Sequence, residues 1–580
     1  MSPVVHWLLM LDISRTIINR IYPLLSLAEA VFYYILAPMR LTILIIFLLS
    51  YSFIKAQTPR YIIQLRDKAN TTWSLDQPSQ FLTAKAIARR TKQHLSIDST
   101  DLPVSPTYRD SIAAAGNVNI LYTSRWFNQV IIQTTDTTAL RKIQSFSFVA
   151  KTSTEGRKSA LRKTVAANGK STKLSGTGTY GGAHWQMELH NAITLHDHNY
   201  KGQNMIIAVI DNGFPSVNVN RAFTSTNIIS TWDFVKAAAN VYDYGEHGTE
   251  VLSILASNLP DEMIGSAPEA GYILLRTEET DWEKPIEENN WVAAAEYADS
   301  LGADLISSSL GYNTFDDPVY NHTYADLDGK TTIIARAAAL AAAKGMIVVI
   351  AAGNEGANDW HYILTPADAD NILTVGAVSP EGDLADFSGR GPTADGRIKP
   401  DVVSVGKNSQ IVRPDGILTL GDGTSFATPV IAGLTACLWQ AFPNSTNQEV
   451  INAVKASSSQ YSSPDNDMGY GIPNYQIAYN TLLASTLSND TLQFQHSWLK
   501  AIPNPFTNEI KTFVHVNAGQ KVELALFDNN GRRIRTTNFT PATDYYYYEW
   551  PADFSALPAG IYYLRAQKGR DKAVVKLLKR

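Results

Sequence analysis

The sequence predicts an α/β protein: a parallel sheet flanked by helices, with a small α/β domain before it and a small β-sandwich domain after it. Three observations lead there. Between residues 181 and 485, short apolar runs (Ile206–Ile210, Tyr272–Leu275, Leu305–Ser308, Ile347–Ala352, Ile372–Val378) alternate with helix-like runs such as Trp291–Ser300 and Ile333–Lys344. Strands that are apolar on every residue and separated by helices belong to sheets buried on both faces. Ahead of that stretch, strand-like and helix-like segments alternate on a smaller scale. Behind it, β patterns joined by turn residues replace the helices.

Composition bounds the rest. A chain of 580 residues should hold two to four domains. At 45% hydrophobic and 18% charged residues, its bulk is globular. A net charge of −5 argues against nucleic acid as a general partner. The one cysteine, Cys437, excludes an intramolecular disulfide and, set in an apolar run, reads as a small core residue.

Taken in order, residues 39–56 read as a signal peptide. Arg40 is its basic start, Leu41–Leu49 its apolar core, and Ala56 the small residue before Gln57. Met39 stands directly before Arg40, so residues 1–38 read as a misassigned N-terminal extension. The competing reading is a real hydrophobic segment over Ile21–Ala37, which Pro23, Glu29 and its short length weaken.

Residues 57–150 form the small α/β domain. Arg60–Leu65 and Trp126–Thr134 are strand-like, Ser79–His94 is helix-like, and Thr138–Phe148 gives a short helix and then a strand. Residues 151–180 read as a basic flexible linker, with Arg157, Lys158, Arg162 and Lys163 among its cations and Glu155 as its lone acid. Residues 486–580 form the β unit. Lys521–Asp528 alternates as a strand, Asn529-Asn530-Gly531 turns a hairpin, and the stretch from Leu557 leads into a last strand ending at Arg580.

The chemistry concentrates in the 181–485 domain. Gly423-Thr424-Ser425-Phe426-Ala427-Thr428-Pro429 precedes the apolar run Val430–Phe442. Ser425 is expected at the mouth of a helix whose first turn holds Pro429. Free backbone N–H groups and the positive end of the helix dipole suit a nucleophile whose product is an oxyanion. A capped core helix would give the same pattern, and three other stretches decide between the two. Ile206–Ile210 runs into Asp211-Asn212-Gly213, an acid at the carboxyl end of a buried strand. His247-Gly248-Thr249 opens a helix-like run through Ala256, and Ile347–Ala352 ends in Gly353-Asn354-Glu355-Gly356. Each has a plain reading alone, Asp211 as a turn acid and His247 as a surface helix start. Together they give the order Asp, His, Ser, one of the known orders of a catalytic triad.

These four segments resemble the subtilisin-like (subtilase, S8) serine endopeptidases, from about Gly181 to Ala478. The resemblance implies a triad of Asp211, His247 and Ser425, an oxyanion hole with Asn354, and a substrate-binding strand at Ser309, Leu310 and Gly311. It also implies that residues 57–150 are a propeptide that assists folding and blocks the site. The resemblance further implies that no cofactor is required for the chemistry, with a structural calcium ion only as family habit. Residues 486–580, with Pro503-Asn504-Pro505-Phe506, Leu557-Pro558-Ala559-Gly560 and a basic tail, are similar to the C-terminal sorting domain of type IX secretion cargo.

The expectation is therefore a secreted or cell-surface serine endopeptidase made as a precursor. Its partners would be protein or peptide substrates and the type IX secretion machinery, with no nucleic acid. The rival readings are a catalytically silent subtilisin fold used for binding or adhesion, and a protease that processes only itself. One stretch departs from the family pattern: Glu278, Glu279, Glu283, Glu287 and Glu288 crowd the place that borders the upstream substrate pockets in relatives. It reads either as a selector of basic substrates, the enzyme's own linker included, or as a solvated acidic loop or calcium site.

Overall fold

The structure, a computed structural model, describes residues 58–154, 178–490, 498–517, 519–541, 545–550 and 553–580. The segments 1–38 and 39–56 and residues 155–177 of the basic linker lie outside the described residues. Arg60–Arg580 forms one compact unit; the unit before it, Met1–Pro59, is described only at residues 58 and 59.

The centre is a seven-stranded sheet in the order Val402–Val405, Leu373–Val378, Ile347–Ala351, Leu305–Ser308, Ile206–Asp211, Gly271–Arg276, Asn227–Asp233. Every neighbouring pair in it is parallel. The inner strands are buried residue after residue, as runs such as Ile-Val-Val-Ile-Ala require when helices cover both faces. One face packs against the helices His247–Ala256 and Thr424–Ala441. The other packs against Ile286–Leu301 and Ile333–Ala343. Cys437 is buried in the first of these cores, as its apolar neighbours imply.

The preceding domain is a four-stranded antiparallel sheet in the order Asn119–Ser124, Gln129–Gln133, Arg60–Leu65, Val149–Thr154. Its helices are Ala84–Lys92, Pro106–Ala113 and Thr137–Gln144. Thr83 and Asp136 cap the first and last by accepting backbone N–H bonds. Two elements had no clear sequence signal, the Pro106–Ala113 helix and the Asn119–Ser124 strand. The last strand also runs four residues into the expected linker, through Thr154, because it pairs along Arg60–Leu65 (Tyr61 opposite Thr154). Val-Ala-Lys-Thr-Ser-Thr has too few apolar residues to announce a strand; its partner makes it one.

This domain docks on the Ile286–Leu301 helix through buried polar groups. Asp299, fully buried, pairs with Arg89, with Arg90 at 2.8 Å and with Arg125 at 2.6 Å. Burial alone would raise its carboxyl, but three guanidinium groups hold it below the usual range. Glu296 accepts from Ser124 Oγ (2.5 Å), Arg125 N (2.7 Å) and Trp126 N (3.1 Å). Here burial dominates and pushes the carboxyl up to about 7.

The C-terminal part is two antiparallel sheets around one apolar core. Three strands (Leu499–Ile502, Lys511–His515, Tyr545–Glu549) face four (Arg533–Phe539, Val522–Asp528, Gly560–Lys568, Asp571–Lys579). The expected boundary at 485 falls inside a helix, Tyr475–Asp490, which carries five residues past it. Leu482 joins that helix to the core of the seven-stranded sheet, and Leu483 packs against Phe513 and Tyr547 of the C-terminal part.

Candidate active site

Strands after Ile206–Asp211 are laid first on one side of it and then on the other, starting with Leu305–Ser308. The carboxyl ends of these two adjacent strands therefore open on a crevice, where open parallel sheets bind ligands. Asp211 is the last residue of its strand and is fully buried. The turn after it needs Gly213, which has φ +141°; a Cβ there would fall 1.7 Å from the Tyr244 carbonyl oxygen.

His247 is the first residue of its helix, and its Nδ1 lies 2.8 Å from Asp211 Oδ1. An ionised carboxylate only accepts, so Nδ1 carries the proton and Nε2 is left as a base. The ring is 31% exposed. Burial would lower its pKa, but the charge and hydrogen bond of Asp211, helped by Glu250 one turn on, raise it above 6.5. Burial pushes the Glu250 carboxyl itself up to about 7.

Ser425 is the second residue of the Thr424–Ala441 helix, so its N–H has no acceptor within the helix. Pro429 does not sit in the first turn, as expected; it lies inside the helix. Lacking an N–H, it leaves the Ser425 carbonyl without its partner four residues on. Ser309 Oγ supplies the missing donor at 2.8 Å. That bond ties the Ser425 turn to the Ser309–Gly311 segment. The Ser425 hydroxyl lies 3.4 Å from the Ser309 carbonyl oxygen and makes no hydrogen bond to His247. Such bonds are commonly long without substrate and tighten when it binds.

Asn354 follows the Ile347–Ala351 strand and is exposed. Its Oδ1 accepts from Thr424 N (2.9 Å) and Thr424 Oγ1 (3.0 Å). With the oxygen held twice, the amide cannot flip, and Nδ2 is left as a free donor. Thr424 had no assigned role from sequence, although it is half of the Gly-Thr-Ser signature. His247, Asn354, Ser425, Ser309, Leu310 and Gly311 all line one cleft of about 440 Å³.

The acidic stretch is not a solvated loop. Glu278, Glu279, Glu287 and Glu288 are buried, and the last two lie in the first turn of the Ile286–Leu301 helix. Glu279 pairs with Lys236 and Arg276, both at 2.9 Å. Carboxylate oxygens of Glu278, Glu283 and Glu287 lie within 4.8 Å of one another, close enough to share a cation. Calcium takes six to eight oxygens. Both oxygens of Glu287 already accept backbone N–H groups of Glu279 and Lys284, and Glu278 Oε1 accepts from Tyr312 and Thr277. A calcium ion here would therefore need backbone carbonyls or water for most of its ligands.

Residues 202–471 match the subtilase family, 60–172 the peptidase S8 propeptide domain of Bacteroidota, and 500–580 the secretion system C-terminal sorting domain. The chain is 29% identical over 291 residues to subtilisin E of Bacillus subtilis (strain 168), covering 50% of this chain and 68% of that one. It is 28% identical over 291 residues to subtilisin of Bacillus pumilus, covering 50% and 95%. Among solved structures, MycP1 from Mycobacterium smegmatis is similar at 23% identity and a TM-score of 0.44, over 55% of this chain and 89% of that one.

Proposed function

The chain carries a subtilase-family peptidase domain between an S8 propeptide and a secretion sorting domain, so it is a subtilisin-type serine endopeptidase made as a precursor; from that premise we propose the residues that act and the route the protein takes. Ser425 attacks the peptide carbonyl, His247 takes the hydroxyl proton at Nε2 and returns it to the leaving amine, and Asp211 holds and stabilises the imidazolium. Asn354 Nδ2 and the Ser425 N–H receive the oxyanion. Ser309, Leu310 and Gly311 receive the extended substrate by main-chain pairing. Each step is carried by these side chains and water.

The observation that carries this reading is the single cleft in which an Asp211-bound imidazole, the Ser425 hydroxyl and an orientation-locked Asn354 amide face the same space. A binding protein on this fold would have no use for the Thr424 lock on Asn354. The buried Asp299 and Glu296 contacts support a propeptide that stays docked until the precursor is cut. We further propose that residues 39–56 act as the export signal and residues 486–580 address the protein to the type IX machinery. The test is a fluorophosphonate probe on the purified protein. It should label wild type and leave Ser425→Ala unlabelled; labelling of both, or of neither, rejects Ser425 as the nucleophile.

A further inference from the structure

Glu278 sits in the same cleft as Ser425, and its chemistry there is unspent. It is only 8% exposed. Oε1 accepts from Tyr312 Oη and, at 3.0 Å, from Thr277 Oγ1, so the side chain is fixed. Oε2 has no hydrogen-bond partner among the described residues. No lysine or arginine pairs with Glu278 among the described residues, whereas its neighbour Glu279 is neutralised by Lys236 and Arg276. Burial first, and the Glu283 carboxylate second, push the Glu278 carboxyl well above the usual range. A buried acid with an open oxygen and no lysine or arginine against it is a place for a cation. A metal is a poor candidate, because Glu287 has both oxygens committed to backbone N–H groups.

Tyr312, which holds Glu278, is three residues along from Ser309, and Ser309 is bonded to the backbone of Ser425. An extended peptide on this segment spans about 10 Å over the same distance. We propose that Glu278 is a specificity-determining residue of this cleft, its open carboxylate oxygen accepting a hydrogen bond from a lysine or arginine side chain of the peptide substrate, roughly two to four residues from the scissile bond. Glu283 lines the same cleft. Glu279 and Glu287 take no part, since cations and backbone donors already satisfy them. The proposal rests on the peptidase reading above and narrows its substrates to chains with a basic residue near the cut.

The experiment cleaves a proteome-derived peptide library with the processed enzyme and reads the cut sites by mass spectrometry. Paired synthetic peptides, Lys against norleucine at the enriched position, then give a kcat/KM ratio. Wild type should favour Lys and Arg at one position. Glu278→Gln should lower the Lys-to-norleucine ratio about tenfold or more, the scale of one charged hydrogen bond. Tyr312→Phe, which frees the carboxylate, should lower it less. Each variant is also labelled with the fluorophosphonate probe, which reports the Ser425 hydroxyl and not the Glu278 carboxylate. Labelled wild type with no basic preference, or a ratio unchanged in Glu278→Gln, overturns the specificity proposal and leaves the peptidase reading standing. Loss of the preference in EDTA with recovery in calcium also overturns it, in favour of a metal. Unlabelled wild type that cuts no peptide overturns both.

Discussion

Asn354 gives the sharpest check on the proposed chemistry, because its orientation is read from two hydrogen bonds. Thr424 N and Oγ1 both donate to its Oδ1, at 2.9 and 3.0 Å, which aims Nδ2 at the space beside Ser425. Two substitutions separate having the donor from aiming it. Asn354→Ala removes the donor; in subtilisin the loss of such a donor lowers kcat by about 10²–10³, or about 2.7–4 kcal/mol. Thr424→Val keeps the donor, the volume and the backbone N–H but deletes one of the two bonds that hold the amide. One neutral hydrogen bond contributes about 1 kcal/mol net, so kcat should fall about fivefold to tenfold. Thr424→Ser restores the hydroxyl and should recover most of the rate. The assay is steady-state hydrolysis of a peptide anilide by processed enzyme, with kcat and KM separated. An interaction made only in the transition state lowers kcat and leaves KM nearly alone. If Asn354→Ala raises KM while kcat holds, Asn354 binds substrate and the oxyanion assignment fails. If Thr424→Val matches Asn354→Ala, the Thr424 bond does more than aim.

Other outcomes follow from the same geometry. Ser425→Ala should abolish hydrolysis, a loss of about 10⁶ in kcat as in subtilisin, with unchanged circular dichroism; measurable turnover at wild-type rates would remove Ser425 from the mechanism. A protonated His247 cannot accept the Ser425 proton, so kcat/KM should fall as pH drops through its pKa. Asp211 raises that pKa above 6.5, so the acidic limb should lie above pH 6.5, and Asp211→Asn should move it downward; a limb that stays put in Asp211→Asn refutes the pairing. Asp299→Ala leaves Arg89, Arg90 and Arg125 without their shared anion, which should weaken the propeptide contact by about 3–5 kcal/mol. After the linker is nicked in a Ser425→Ala background, co-elution of the N-terminal fragment on size exclusion reports this, and co-elution equal to the parent argues against it. Removal of residues 503–580 should trap folded enzyme in the cell envelope, and normal release into the medium would deny the tail its sorting role.

Much of this molecule could be read before any coordinates. The buried strands were legible because parallel strands covered on both faces must be apolar at every position, and Ile347–Ala351 obeys that rule throughout. Asp211, His247, Asn354 and Ser425 were legible because each stands at the end of a strand or the start of a helix, where the local pattern changes abruptly. Other features came from contacts distant in sequence. Pro429 reads as a first-turn residue until the helix is seen to start at Thr424, and only then does Ser309 emerge as the donor that completes the Ser425 carbonyl. The strand through Thr154 exists because Arg60–Leu65 pairs with it, and its own residues carry no such message. The acidic stretch shows this most clearly. From sequence its carboxylates were equivalent, and a solvated loop was as good a reading as a selective one. Folding distributes them by what each meets: Arg276 and Lys236 neutralise Glu279, backbone N–H groups take Glu287, and the Tyr312 hydroxyl turns Glu278 into the cleft with an oxygen to spare. A residue's charge is written in the chain, but its free energy depends on burial and partners, and those are set only when distant segments meet.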